Sequence, residues 1–106
     1  MPKYLFKASY TSEGVAGVAT KGGSSRRDAI KRVFEANGGK LEAFYFAFGD
    51  TDVYAFGDLP DAETAAAIAL AVNREGKTTV STVVLLTPEE VDGAAKRSID
   101  YIPPGK

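Results

Sequence analysis

Two short stretches gather residues whose types could do chemistry. In Gly22-Gly23-Ser24-Ser25-Arg26-Arg27 a glycine pair opens a helical segment. Free backbone N–H groups, the positive end of the helix dipole and two guanidinium groups would suit a phosphate or carboxylate there. The same residues also read as a glycine turn, an N-cap at Ser24 or Ser25 and solvated arginines, the commoner arrangement. They are not a Walker loop, because the closing Gly-Lys-Ser/Thr is missing. The second stretch is acidic: Asp50 and Asp52, with Asp58 and Asp61 farther on. Carboxylates two residues apart suit a hard cation or can raise one another's pKa. Aspartates at such places more often make turns and caps. Calcium-loop spacing is absent, and no metal is assigned.

Strand tyrosines add a third element. Tyr4, Tyr10, Tyr45 and Tyr54 carry hydroxyls that need partners where buried, and a polar-tipped aromatic pocket between sheet and helices would suit a small organic ligand. The candidate ligand-binding residues are therefore Tyr10, Arg26, Tyr45, Asp52 and Tyr54. In this reading the tyrosines orient a polar group, Asp52 is an acceptor or base, and Arg26 pairs an anion. Packing in the core or an interface is the plainer role for the same rings.

Composition narrows the chemistry. The sequence has no cysteine and no histidine. Disulfides, thiolate nucleophiles, imidazole-based triads and histidine or cysteine metal sites are thereby excluded. No ordinary side chain titrates near neutrality. Any catalysis would fall to carboxylates, tyrosines, lysines, hydroxyls or the ligand itself, and no cofactor is assigned. A net charge of −1 offers no general attraction for nucleic acid or anionic lipid. Phe44-Tyr45-Phe46 is superficially like an RNA-stacking strand, but the basic-Gly-aromatic pattern of that module is unmatched, so no nucleic acid is expected. With no apolar run near membrane length and no signal-peptide pattern, the expected location is cytoplasmic.

The elements that must position these residues follow from periodicity. Lys3 to Tyr10 alternates with period two, Tyr4, Phe6, Ala8 and Tyr10 on one side, and reads as a strand. Thr11 or Ser12 caps a short helical segment around 13–20. Ala29, Ile30, Val33 and Phe34 recur at helical spacing up to Asn37-Gly38-Gly39. Strands are expected over 41–48 and 53–59, joined through Gly49-Asp50-Thr51-Asp52. Pro60 ends the second of them, and Asp61 caps a helix over 62–74 with Ala65, Ile68 and Val72 on one stripe. A β-branched strand covers 78–86. Thr87-Pro88-Glu89-Glu90 is a capping box opening a last helix to about Ser98, weakened by Gly93, and the tail should be extended. The 106 residues are thus one α+β domain, 1–106, with a ferredoxin-like βαββαβ plan, a four-stranded antiparallel sheet and an extra C-terminal helix.

In that plan one sheet face lies under helices and the other should be polar if it meets water. Alternation instead places Leu41, Ala43, Tyr45 and Ala47 against Phe44, Phe46 and Phe48, Val53, Ala55 and Leu59 against Tyr54 and Phe56, and Val80 and Val84 against Val83 and Leu85. Both faces look apolar, so a second copy packed sheet to sheet is the expected cover, giving a homodimer or larger assembly.

Gly38-Gly39-Lys40-Leu41-Glu42-Ala43-Phe44-Tyr45 and Phe48-Gly49-Asp50-Thr51-Asp52-Val53-Tyr54, followed by Asp58-Leu59-Pro60-Asp61 and Leu85-Leu86-Thr87-Pro88-Glu89-Glu90, resemble the GYD-domain family of bacterial proteins over nearly the whole chain. Thr51 stands where the family's turn has tyrosine. The resemblance implies a ferredoxin-like subunit of the dimeric α+β barrel type and brings no activity with it. Two functions stay open: an oligomeric small-molecule-binding protein, with cofactor-independent catalysis as an extension, and a non-catalytic assembly module with no ligand of its own.

Overall fold

The computed structural model describes residues 1–105. The elements run β1 (Lys3–Tyr10), α1 (Ser12–Lys21), α2 (Gly23–Ala36), β2 (Lys40–Phe46), β3 (Val53–Asp58), α3 (Ala62–Glu75), β4 (Thr78–Leu85) and α4 (Pro88–Ala95). The strands form one antiparallel sheet in the order β2-β3-β1-β4. This is the α+β, ferredoxin-like arrangement that the order of elements implies.

Helix ends are chemically determined. Thr11 Oγ1 accepts from Gly14 N–H, Asp61 Oδ1 from Thr64 N–H and Thr87 Oγ1 from Glu90 N–H, each satisfying a donor the first turn leaves free. At α4 the capping box is complete. The start of α2 differs from expectation: Gly22, at φ 88°, is the N-cap, and neither Ser24 nor Ser25 caps the helix. A glycine takes that backbone shape without strain, so the helix begins before the serines are reached.

The core lies between the sheet and α2 and α3. Tyr4, Phe6 and Ala8 of β1 and Val53 and Ala55 of β3 are buried with Phe34, Leu59, Ala65 and Ile68. Burying a large apolar side chain contributes roughly 1.5–3 kcal/mol, and Phe34 and Leu59 are the most completely enclosed. Phe34 meets Phe6 edge-on, with ring centroids 5.5 Å apart. Gly57 is where it can sit so low: a Cβ there would lie 2.4 Å from the Phe34 ring and 2.7 Å from the Lys40 carbonyl oxygen.

One irregularity alters the expected faces. The pairing of β2 with β3 slips between Leu41 and Ala43. That β-bulge places Leu41, opposite Gly57, on the helix-covered side together with Phe44 and Phe46, and leaves Ala43 and Tyr45 on the other. Simple alternation had grouped Leu41 with Tyr45. The strand also ends at Phe46, so Ala47 and Phe48 belong to the connection, where Phe48 adopts φ 57° with its ring stacked on Phe46.

The open face is consequently less uniformly apolar than strand composition suggested. Leu5, Tyr54, Phe56, Val83 and Leu85 share it with Lys3, Lys7, Ser9, Thr79 and Ser81, as the cross-strand registers require. Lys3 pairs with Glu42 and, at 3.0 Å, with Asp58. The Glu42 bond first, and the Asp58 bond second, hold the ammonium above the usual lysine range. At the outer margin of β4, Asn73 of α3 clamps the strand: its Oδ1 accepts from Val80 N–H at 2.8 Å and its amide faces the Val80 carbonyl.

Candidate functional site

Helix α2 packs on β2, α3 packs on β4, and α1 leans on α2 and β1. Between the three helices a groove of about 740 Å³ opens to solvent, and an apolar recess of about 60 Å³ lies beneath it. The sequence explains the opening. Val33 sits on the same helix face as Ile30 and Phe34, yet it is partly exposed because α3 stays across the groove rather than covering it. Gly17 of α1 also lines the groove, and nothing lies within 4 Å of where its Cβ would be. Absence of a side chain there is part of the volume.

Tyr10 closes one end, at the exit of β1. Its ring lines both the groove and the recess, as does Arg26 from the first turn of α2. Helix α1 can lie against that ring only because residue 14 is glycine. A Cβ there would stand 2.5 Å from the Lys77 carbonyl oxygen and 3.1 Å from the Tyr10 ring. Thr11 N–H and Oγ1 both donate to the same carbonyl, at 3.0 and 3.2 Å, joining the β1–α1 corner to the α3–β4 turn. Asp52 reaches back from the β2–β3 connection, its Oδ2 accepting from Tyr10 N–H at 2.8 Å. Ala47 N–H in turn donates to the Asp52 carbonyl, and Asp52 N–H to the Ala8 carbonyl. The carboxylate thereby sets where β1 ends and how Tyr10 is presented.

Tyr10, Arg26 and Asp52 therefore come together. Tyr45 and Tyr54 do not join them. They are directly opposed across β2 and β3 and project from the open face, so the expectation that all three tyrosines line one pocket is corrected. Tyr10 falls on the inward parity of its strand, whereas Tyr45 and Tyr54 fall on the outward parity of theirs. The Gly22-Gly23-Ser24-Ser25-Arg26-Arg27 stretch contributes through Arg26, while Arg27 turns to Asp28 at 3.2 Å. Of the aspartates, Asp61 caps α3 and Asp58 pairs Lys3. Among the described residues, no cluster of three or more acidic side chains could hold a metal ion. Lys77, Gly14 and Asn73 are structural contributors that the periodicity and motifs of the sequence did not single out, and Arg32, one helical turn from Asp28, lines the groove instead of pairing it. For Gly14 the available signal was a glycine inside a helical segment next to a strand exit.

The electrostatics of the groove favour anions. Lys21, Arg26, Arg32 and Lys77 line it against Glu13 and Glu75. Lys77 is 3.5 Å from Glu13. Among the described residues, Arg26 and Arg32 take part in no ion pair. Burial pushes the Tyr10 phenol above its usual range, and the Arg26 charge opposes part of that rise. At neutral pH the phenol is a hydrogen-bond donor beside a guanidinium.

The raised phenol pKa makes stability fall once pH climbs past about 10. The unfolded chain then ionises freely while the folded one must carry a half-buried phenolate. A spectrophotometric titration should show a tyrosinate component above the ordinary phenol range that Tyr10→Phe removes and Arg26→Gln moves still higher. A component that ignores Arg26 would place the guanidinium away from the phenol.

Comparison with known proteins gives one match. The family model described as GYD domain covers residues 4–95 of the chain. No curated protein and no solved structure matches it. Among the described residues no helix is long and apolar enough to cross a membrane.

Proposed function

The chain belongs to the GYD-domain family, and from that footing we propose that it is an oligomeric small-molecule-binding protein, cytoplasmic and of one domain, whose groove takes a small organic carboxylate. The observation that carries the reading is the juxtaposition at one end of the groove. An arginine that takes part in no ion pair among the described residues and a protonated phenol converge above an apolar recess. A ligand with an apolar body and a carboxylate head matches both parts. Its head would receive charge-assisted hydrogen bonds from Arg26 and a hydroxyl bond from Tyr10. Its body would displace water from Val72, Ile68 and Val33. Tyr10 is the proton donor that any turnover would use, and Asp52 acts by positioning it.

Benzoate and its ring-substituted analogues, compared with neutral benzamide, test this by thermal shift and calorimetry. Carboxylates should raise the melting temperature and benzamide should not, since only a ligand that favours the folded chain stabilises it. A charged hydrogen bond contributes about 1.5–3 kcal/mol, so Arg26→Gln should weaken carboxylate binding roughly 10–100-fold. Equal binding by acid and amide, or by wild type and Arg26→Gln, would remove the proposal.

A second reading, self-assembly without a ligand, is favoured by the apolar share of the open sheet face. Leu5, Phe56 and Leu85 are only partly buried in one chain, and Tyr45 is 65% exposed. We take a homodimer packed through this face to accompany ligand binding rather than replace it.

A further inference from the structure

Beyond Leu85 the chain leaves the body. Every residue from Leu86 to Gly105 is exposed, although α4 is a fully capped helix. The departure shows in the dimensions. The radius of gyration is 16.7 Å, where a compact chain of this length has about 13 Å, and the long axis reaches 55 Å. The arm is also apolar for a solvated segment: Leu86, Val91, Ile99, Tyr101 and Ile102 are 50–77% exposed. Five such side chains within seventeen residues, each at least half exposed, call for a separate surface.

We propose that this arm packs on a second copy of the chain, along the rim of the partner's open sheet face. The inference rests on the dimer reading above and adds the contacts that would lock it. Three observations select this occupant. Reach is sufficient: face-packed sheets lie about 10 Å apart, the eight residues of α4 span about 12 Å, and the extended stretch beyond adds up to about 3.3 Å per residue. Origin is suitable, because the arm starts at the end of β4, an edge strand, so that it leaves from the margin of its own sheet. Charge is complementary. Lys7 and Lys40 stand on the open face and Glu89 and Asp92 on α4, and among the described residues none of the four takes part in an ion pair. Glu90 is already committed to the capping box. The tail after Ala95 lies outside the family match, so these last apolar residues are a feature of this chain rather than of the matched region.

The test uses the full chain and the double variant Ile99→Asp, Ile102→Asp, read by sedimentation equilibrium, with far-ultraviolet circular dichroism to verify the fold. Both side chains are more than 70% exposed in one chain, so the subunit should fold unchanged. Wild type should behave as two 11.2-kDa chains. Loss of two apolar anchors should raise the dimer dissociation constant at least roughly 30-fold. A wild-type dimer whose variant associates equally well overturns the arm contact and leaves the sheet dimer standing. A wild-type monomer at micromolar concentration overturns both.

Discussion

Replacing Gly57 by alanine should cost about 3 kcal/mol of stability, the upper end of what overpacking usually does. The reason is that the added methyl group has no soft neighbour. It would sit 2.4 Å from one edge carbon of Phe34 and 2.7 Å from the Lys40 carbonyl oxygen. Real Cβ contacts do not come that close, so something must move. The carbonyl belongs to the β2–β3 ladder beside the bulge and cannot retreat without breaking pairing. The Phe34 ring is 1% exposed and meets Phe6 edge-on, with the recess beneath the groove along one side of it. Domains of this kind are stable by only about 5–15 kcal/mol, so the variant should show a clearly lower urea midpoint at an unchanged slope. A midpoint within experimental error of wild type would mean that the ring does not rest on residue 57.

Phe34→Ala should be at least as damaging, about 3–5 kcal/mol, because it removes a whole ring from a closed site and the surroundings relax only in part. The void would merge with the recess of about 60 Å³ that Phe34 already lines beneath the groove, enlarging a hole that apolar walls keep unfavourable for water. Chemical denaturation measures this, and the double variant tells whether the two effects share a cause. With the ring gone, alanine at 57 should cost less than it does in wild type, while the clash with the Lys40 carbonyl persists. Strict additivity would contradict the packing described above.

Much of the fold was legible in the sequence, and particular residues show why. Lys3 to Tyr10 alternates without interruption, and β1 occupies those residues and no others. Asp61 and Thr87 precede helices they do cap, because short side-chain oxygens next to free N–H groups have few alternatives. What escaped was cooperative. A bulge adds one residue to one strand and moves Leu41 to the helix side, and no local preference at Glu42 announces it. The candidate site was half legible. Arg26 and Asp52 reach Tyr10 across two connections, whereas Tyr45 and Tyr54 are excluded by parity, a property that depends on register with β1. The groove itself depends on how far α3 stays from α2, which side-chain periodicity in either helix does not encode.

The Asn73 clamp carries a consequence for how this protein behaves in a crowded solution. Unsatisfied strand margins are templates on which sheets grow without limit. By meeting the outward N–H of Val80 with a side-chain amide, α3 obstructs growth at that point of the β4 flank, and among the described residues no side chain does the same on the β2 flank. One asparagine thus works against an endless ribbon by occupying one position on an otherwise open edge.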